Sequence, residues 1–334
     1  MRRNNNKNTK KGMNAKYLFA LLLFLVLLTA PYIWNFAKNL SGTALISITG
    51  EKTETTMMGE AENPFENLNL EAKAAYVLDL AKGKILYALD ENKELPLASL
   101  TKIMAAIVAD DILTKEAIIT ISENDIGKEG DSGLFVQEKW RLSDITDFTL
   151  TTSSNDGVSA IASVAGAFAL LQNASGTPTD IESAKGRFIR SMNVKTEELG
   201  LVGMYFLNET GLDIDEEVSG SYGTAKEVVQ LLAFAIKYKP AVLEATSRER
   251  FSINSLDAIS HVATNTNPTV VNIPWLIASK TGFTDLAKGN LVVAFDAGIM
   301  RPIIISVLGS SIDGRFEDME KLVRASFRAI GTSR

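Results

Sequence analysis

"PLASLTKIM", Pro96 to Met104, places a serine and a lysine three positions apart where a helix begins. The chain of 334 residues has one histidine, His261, and no cysteine, so a nucleophilic hydroxyl here lacks its usual base. Residues three apart on a helix share a face, and helical side chains lean toward the amino end. Lys102 is therefore expected one turn beyond Ser99 with its amine tilted back toward the hydroxyl. A desolvated lysine near a second cation loses proton affinity, and its neutral amine can then replace the missing imidazole. A helix cap beside a solvated lysine fits the same spacing, and Ser-x-x-Lys arises about once by chance in a chain this long. The apolar run "LTKIMAAIVA" argues for a buried helix rather than a surface one.

Two further pieces lie downstream. Ser153, Ser154 and Asn155 fall in a break between helical stretches, "SDITDFTLTT" and "GVSAIASVAGAFALL", where a loop can present a hydroxyl and an amide, or simply form a polar turn. Lys280, Thr281 and Gly282 sit in the strand-like "LIASKTGF". That arrangement admits an extended ligand along a strand edge, or a lysine that protects the edge.

Working outward, "AAYVLDL" and "ILYALDE" read as a hairpin turned at Gly83. Thr224 followed by Glu227 marks a capping box at the start of "TAKEVVQLLAFAI". A helix is expected over 180–198, ended by Gly200, then the strands "NLVVAFDA" and "PIIISVLG" and a final helix, "FEDMEKLVRASFRAI". A hairpin, then helices, then a strand meander and a last helix predict an α+β fold with a largely antiparallel sheet.

At the amino end, residues 1–16 carry Arg2, Arg3, Lys7, Lys10, Lys11 and Lys16 and no acid. Residues 17–37 then run without a charge, long enough for a membrane-spanning anchor whose basic flank stays in the cytoplasm. A polar, acidic linker over 38–70 is expected to hold a domain of residues 71–334 outside the membrane. The net charge of -6 gives no support to a nucleic-acid partner. One histidine, no cysteine and no calcium-loop or phosphate-loop motif leave nothing that suggests a metal or other cofactor.

The order Ser-x-x-Lys, Ser-x-Asn, Lys-Thr-Gly resembles the penicillin-interacting serine acyltransferases. With "FLNETGLD", "NTN", "SKTGFTDLAKGNLVVAFD" and "SVLGSSIDGRFED", the stretch from Glu71 to Arg334 is similar to the D-alanyl-D-alanine carboxypeptidases, the S11 peptidases. The resemblance implies a β-lactamase/transpeptidase-like fold, an antiparallel sheet flanked by helices with a helical lobe. It implies Ser99 as nucleophile and Lys102 as base, with Ser153 and Asn155 relaying protons and holding the substrate amide. Lys280 and Thr281 would bind the terminal carboxylate of a peptidoglycan stem peptide ending in D-Ala-D-Ala, with Arg315 near it. Gly282 would allow close approach, and the N–H groups of Ser99 and Phe283 would form the oxyanion hole. β-Lactams would be covalent inhibitors at Ser99, and the charge of Lys280 would help keep Lys102 neutral. A DD-endopeptidase and a non-catalytic wall-binding scaffold share these motifs. Ser154 and the pair Ala278-Ser279 stand where glycines are common in the family.

Overall fold

The computed structural model describes residues 63–127, 129–130, 133–172 and 183–331. The expected basic tail, the anchor over 17–37 and the linker as far as residue 62 lie outside them. Among the described residues no helix is long and apolar enough to cross a membrane.

In chain order the strands and helices are β1 (Ala74–Asp79), β2 (Lys84–Leu89), β3 (Leu95–Pro96), α1 (Thr101–Ile112), β4 (Ile118–Thr120) and β5 (Lys139–Arg141). There follow α2 (Leu142–Thr152), α3 (Asn155–Gln172), α4 (Ala184–Leu199), β6 (Tyr205–Phe206), β7 (Ser221–Gly223), α5 (Ala225–Tyr238) and α6 (Pro240–Leu243). The chain closes with β8 (Arg250–Asn254), β9 (Ser260–Thr264), β10 (Leu276–Thr284), β11 (Lys288–Asp296), β12 (Pro302–Ser310) and α7 (Gly314–Gly331).

The main sheet has the order β10-β11-β12-β1-β2, and every pairing in it is antiparallel. Successive side chains of a strand point to opposite faces. On β11, Leu291, Val293 and Phe295 join Met319 and Leu322 of α7, while Val292 and Ala294 join the core beneath α1. Because both faces are covered, β11 and β12 read as nearly unbroken apolar runs. Each fully buried Leu, Ile or Val there contributes about 1.5–3 kcal/mol of burial free energy.

Helix α1 is buried from Thr101 through Ala109, as expected of a helix that is apolar all round. It packs against α3 and α4 to make the helical lobe. The capping box at α5 forms as the sequence predicts, with Thr224 Oγ1 accepting from Glu227 N at 3.1 Å and Glu227 Oε2 accepting from Thr224 N at 3.1 Å. The folded layer begins ahead of Glu71. Phe65 is buried and stacks on Tyr87, and Leu68 and Leu70 pack beside it under α7. Strand β10 is the sheet edge nearest the helical lobe, and the candidate site lies where the two meet.

Candidate active site

Ser99 sits in a single 3-10 turn, Ala98–Leu100, that feeds directly into α1. It caps no helix. The turn is held tightly: Leu97 N donates to Ser221 O at 3.1 Å, Asn290 Nδ2 donates to Pro96 O at 2.9 Å, and Thr101 Oγ1 donates to Ala98 O at 2.7 Å. Ala98, just before the serine, has φ +49°, a left-handed conformation that costs a non-glycine residue about 1–3 kcal/mol and persists only where the surroundings enforce it. Two glycines make room for this turn. A Cβ on Gly211 would lie 2.0 Å from Ala98 O, and one on Gly282 would lie 2.9 Å from Leu97 O and 3.2 Å from Ser99 N.

One turn on, Lys102 is fully buried and its Nζ makes three contacts: Ser99 Oγ at 2.8 Å, Asn155 Oδ1 at 2.6 Å and Thr210 O at 2.8 Å. Burial pushes this amine down to about 7, against an opposing pull from the Glu209 carboxylate. Near neutral pH a large share of the molecules therefore carry an unprotonated amine facing a hydroxyl, and its lone pair can accept the Ser99 proton. Desolvation is the main cause of the shift, and Glu209 works against it. Repulsion between the two lysines acts in the same direction on both amines. Lys280 is held well below the ordinary lysine range, first by burial, then by the charges of Lys102 and Arg315.

The break between α2 and α3 supplies the next groups. Ser153 takes a left-handed conformation, φ +61°, at the end of α2. Ser154 turns inward, and its Oγ accepts from Gly157 N at 2.9 Å to start α3. Ser153 and Asn155 on either side are thereby left to the cleft. Lys280 Nζ donates to Ser153 Oγ at 2.8 Å and to Thr281 O at 2.9 Å. Thr281 Oγ1 shares a hydrogen bond with Thr266 Oγ1. Arg315, at the first turn of α7, donates from Nη1 to Gly282 O at 2.7 Å, while its buried Nε has no partner. Ser279 N donates outward to Thr246 Oγ1. Backbone groups of alternate residues in an antiparallel strand aim the same way, so Thr281 and Phe283 turn theirs to the same free edge.

All nine residues singled out in the sequence converge here. Ser99, Ser153, Asn155, Thr281, Gly282, Phe283 and Arg315 line a cleft of about 540 Å³, and Lys102 and Lys280 lie buried at its base. The Arg315 guanidinium and two lysine amines thus set basic side chains around the hydroxyl of a chain that is acidic overall, which suits a peptide ending in a carboxylate.

A sequence model of the D-alanyl-D-alanine carboxypeptidases, peptidase family S11, matches residues 58–311. The chain belongs to this family. It is 27% identical over 264 residues to a D-alanyl-D-alanine carboxypeptidase of Bacillus subtilis, covering 77% of this chain and 62% of that one. It is 28% identical over 228 residues to a D-alanyl-D-alanine endopeptidase of Pseudomonas aeruginosa, covering 67% of each. The chain thus spans roughly two thirds of the length of these relatives. Among solved structures it is similar to penicillin-binding protein D2 of Listeria monocytogenes in its ampicillin-bound form, with a TM-score of 0.60, 27% identity, and coverage of 78% of this chain and 99% of that one. The β-lactamase/transpeptidase-like fold expected from the motifs is the fold observed.

Several parts of this S11 site had no side-chain signal. Thr210 offers only its backbone oxygen to Lys102, and the loop carrying it is fastened by Asn208, whose Oδ1 accepts from Gly211 N at 2.7 Å and whose Nδ2 donates to Leu212 O at 2.8 Å. The stretches "FLNETGLD" and "NTN" carry Asn208, Thr210 and Thr266, yet none of these had a predicted role. Val262 and Thr264 of β9 form one wall of the cleft. His261, just before Val262 on the same strand, points the other way and bonds Glu138 Oε1 through Nε2 at 2.7 Å.

Proposed function

We propose that this chain is a serine-type D-Ala-D-Ala carboxypeptidase acting on peptidoglycan stem peptides through an acyl-enzyme on Ser99. The observation that carries the reading is the buried Lys102 amine, 2.8 Å from Ser99 Oγ and brought to about 7. In the first half-reaction Ser99 Oγ attacks the carbonyl between the two D-alanines while Lys102 Nζ takes its proton. Oxygen charge collects where the Ser99 and Phe283 N–H groups can meet it, and losing one such donor typically costs roughly 2.7–4 kcal/mol. The C–N bond breaks, the leaving D-alanine amine receives a proton from Lys102 by way of the Ser153 hydroxyl, and water then hydrolyses the ester. Lys280, Thr281 and Arg315 are the groups placed to hold the terminal carboxylate, and β-lactams would acylate Ser99 by the same attack.

In the same reading, residues 17–37 anchor the chain in the cell membrane, residues 38–70 act largely as a linker, and the catalytic domain works outside the membrane. The likeness to a D-alanyl-D-alanine endopeptidase supports a second reading, cleavage of cross-links with the same residues.

Mass spectrometry of the chain incubated with a pentapeptide ending in D-Ala-D-Ala, and separately with a cross-linked muropeptide dimer, tests both. Loss of one alanine from the pentapeptide is the expected result. Cleavage of the dimer alone would favour the endopeptidase. No reaction with either, and no penicillin adduct on Ser99, would leave a non-catalytic scaffold.

A further inference from the structure

Behind the Ser99–Lys102 pair lies a group of buried charges that the mechanism above does not use. Glu209 immediately precedes Thr210, the residue whose carbonyl receives the Lys102 amine, and its side chain is only 8% exposed. Its ion-pair partner is Lys185 of α4, with Nζ 3.7 Å from Glu209 Oε1. Lys185 is not free to neutralise it, because the same Nζ lies 3.0 Å from Asp125 Oδ1 and donates to Ser159, one turn beyond Asn155 on α3. Asp125 is in turn held by Ser122 and Ser163 hydroxyls at 2.5 and 2.8 Å. One ammonium is thus shared between two buried carboxylates, and the nearer claim belongs to Asp125. Glu209 is only partly compensated, and its field reaches Lys102 through a medium that screens poorly.

The charged groups around this pair can be named element by element. Lys102 comes from α1, Asp125 from the segment after β4, and Lys185 from α4. On the far side of Lys102 stand Lys280 of β10 and then Arg315 of α7. Helix α3 has a single charged residue, Asp156, which is also buried. Of these, Glu209 acts on Lys102 without lining the cleft, and Lys185 is its ion-pair partner.

We propose that Glu209 and Lys185 form a charge couple that governs the protonation of Lys102, Glu209 holding the proton on the amine and Lys185 limiting that hold. Both are positioning residues that act through Lys102, and the inference rests on the reading of Lys102 as the base for Ser99. The couple explains why a lysine stripped of solvent remains able to receive a proton and pass it on. Without Glu209 the amine would be a weaker base toward the serine proton. Without Lys185 a larger share of it would stay protonated at neutral pH.

The two halves of the couple have opposite signs, which separates this proposal from a merely structural role. In the full chain in detergent, two readouts are compared across pH: the rate of Ser99 acylation by a fluorescent penicillin, and the titration of Lys102 followed by NMR on 13C-labelled lysine, assigned with Lys102→Arg. Glu209→Gln is expected to lower both midpoints by roughly half a unit or more, and Lys185→Met to raise them by a similar amount. The double variant should follow Glu209→Gln, and Lys185→Arg, which keeps the charge, should hold the wild-type midpoint. Midpoints that stay fixed, or move the same way in both single variants while thermal melting shows them folded, would overturn the couple. Wild-type chain that is never acylated, yet shows the opposed NMR shifts, would instead overturn the acyl-transfer reading and leave the couple standing.

Discussion

Among the described residues, His261 with Glu138 and Lys102 with Ser99 are two contrasting proton-carrying pairs, and the second faces a cleft. His261 Nε2 bonds Glu138 Oε1 at 2.7 Å, which has the form of the imidazole-carboxylate half of a serine protease triad. Its ring is walled by Trp140, Phe148 and Phe135, with centroids 5.0, 5.7 and 6.2 Å away, so it meets aromatic faces and no serine hydroxyl. Lys102 has a less conventional side chain for a base but a more suitable setting, with Ser99 on one side, a backbone carbonyl on another and an open cleft above. The difference lies in strand register as much as in residue type. On β9 the alternation sends His261 and Ala263 inward and Val262 and Thr264 outward, and a shift by one residue would exchange them. A group that can carry a proton becomes a catalytic centre only where the fold sets a hydroxyl and a substrate space beside it.

This contrast breaks most readily at the serine. Ser99→Ala should abolish the penicillin adduct entirely while leaving the melting temperature nearly unchanged, and any residual adduct located by peptide mapping would name another nucleophile. Lys102→Ala should slow acylation by about 10²- to 10⁴-fold, the usual worth of a positioned general base. His261→Phe should do the reverse. It leaves Glu138 buried without its partner and should cost roughly 2–4 kcal/mol in denaturant unfolding, yet acylation by the folded fraction should stay within about threefold of wild type. A collapse of acylation in that variant would put the histidine back into the chemistry.

A pH-resolved stability measurement sharpens the comparison further. The folded amine of Lys102, at about 7, lies below its unfolded value of 10.5. Between those values the unfolded chain binds a proton that the folded chain does not, so stability falls as pH drops through this window and the cost is complete below it. Lys102→Met removes that cost. It should raise stability by about 1–3 kcal/mol at pH 6, and the gain should shrink toward pH 10; a gain that grows with pH would contradict a neutral buried amine. The smallest effect expected is that of Thr266→Val, which takes away the hydroxyl partner of Thr281. It should weaken peptide binding by about 0.5–1.5 kcal/mol, seen as a higher KM with kcat little changed.

Much of this was legible in the sequence where residue identity carries the physics. The strands "NLVVAFDA" and "PIIISVLG" form because both sheet faces are covered, and the Thr224–Glu227 box could be read letter by letter. Ser99 and Lys102 were visible because a chain with one histidine and no cysteine offers few other ways to activate a hydroxyl, whereas Asn155 and Lys280 drew their roles from the resemblance of the ordered motifs to the S11 peptidases. The hairpin of β8 and β9 escaped notice because its strands are only five residues long and "SHVAT", unlike the alternating "RFSIN", carries little apolar pattern. Residues 63–70 looked like linker because half are polar, whereas Phe65, Leu68 and Leu70 pack them against the cluster under α7. The Thr210 carbonyl has no letter of its own, as every residue carries one. The weight of burial in the Lys102 shift was hidden for a related reason. Sequence can place a second lysine near the first, but depth of burial, which decides the balance, belongs to the folded chain.

The central claim is that a buried neutral lysine, and not the histidine, activates Ser99. The most direct test is the pH dependence of Ser99 acylation by penicillin, followed by intact-mass measurement from pH 5 to 9.5 in wild type and His261→Phe. The account predicts a rate that rises through a single midpoint close to 7 in both proteins. A midpoint in the ordinary lysine range, or one that disappears with the histidine, would contradict it.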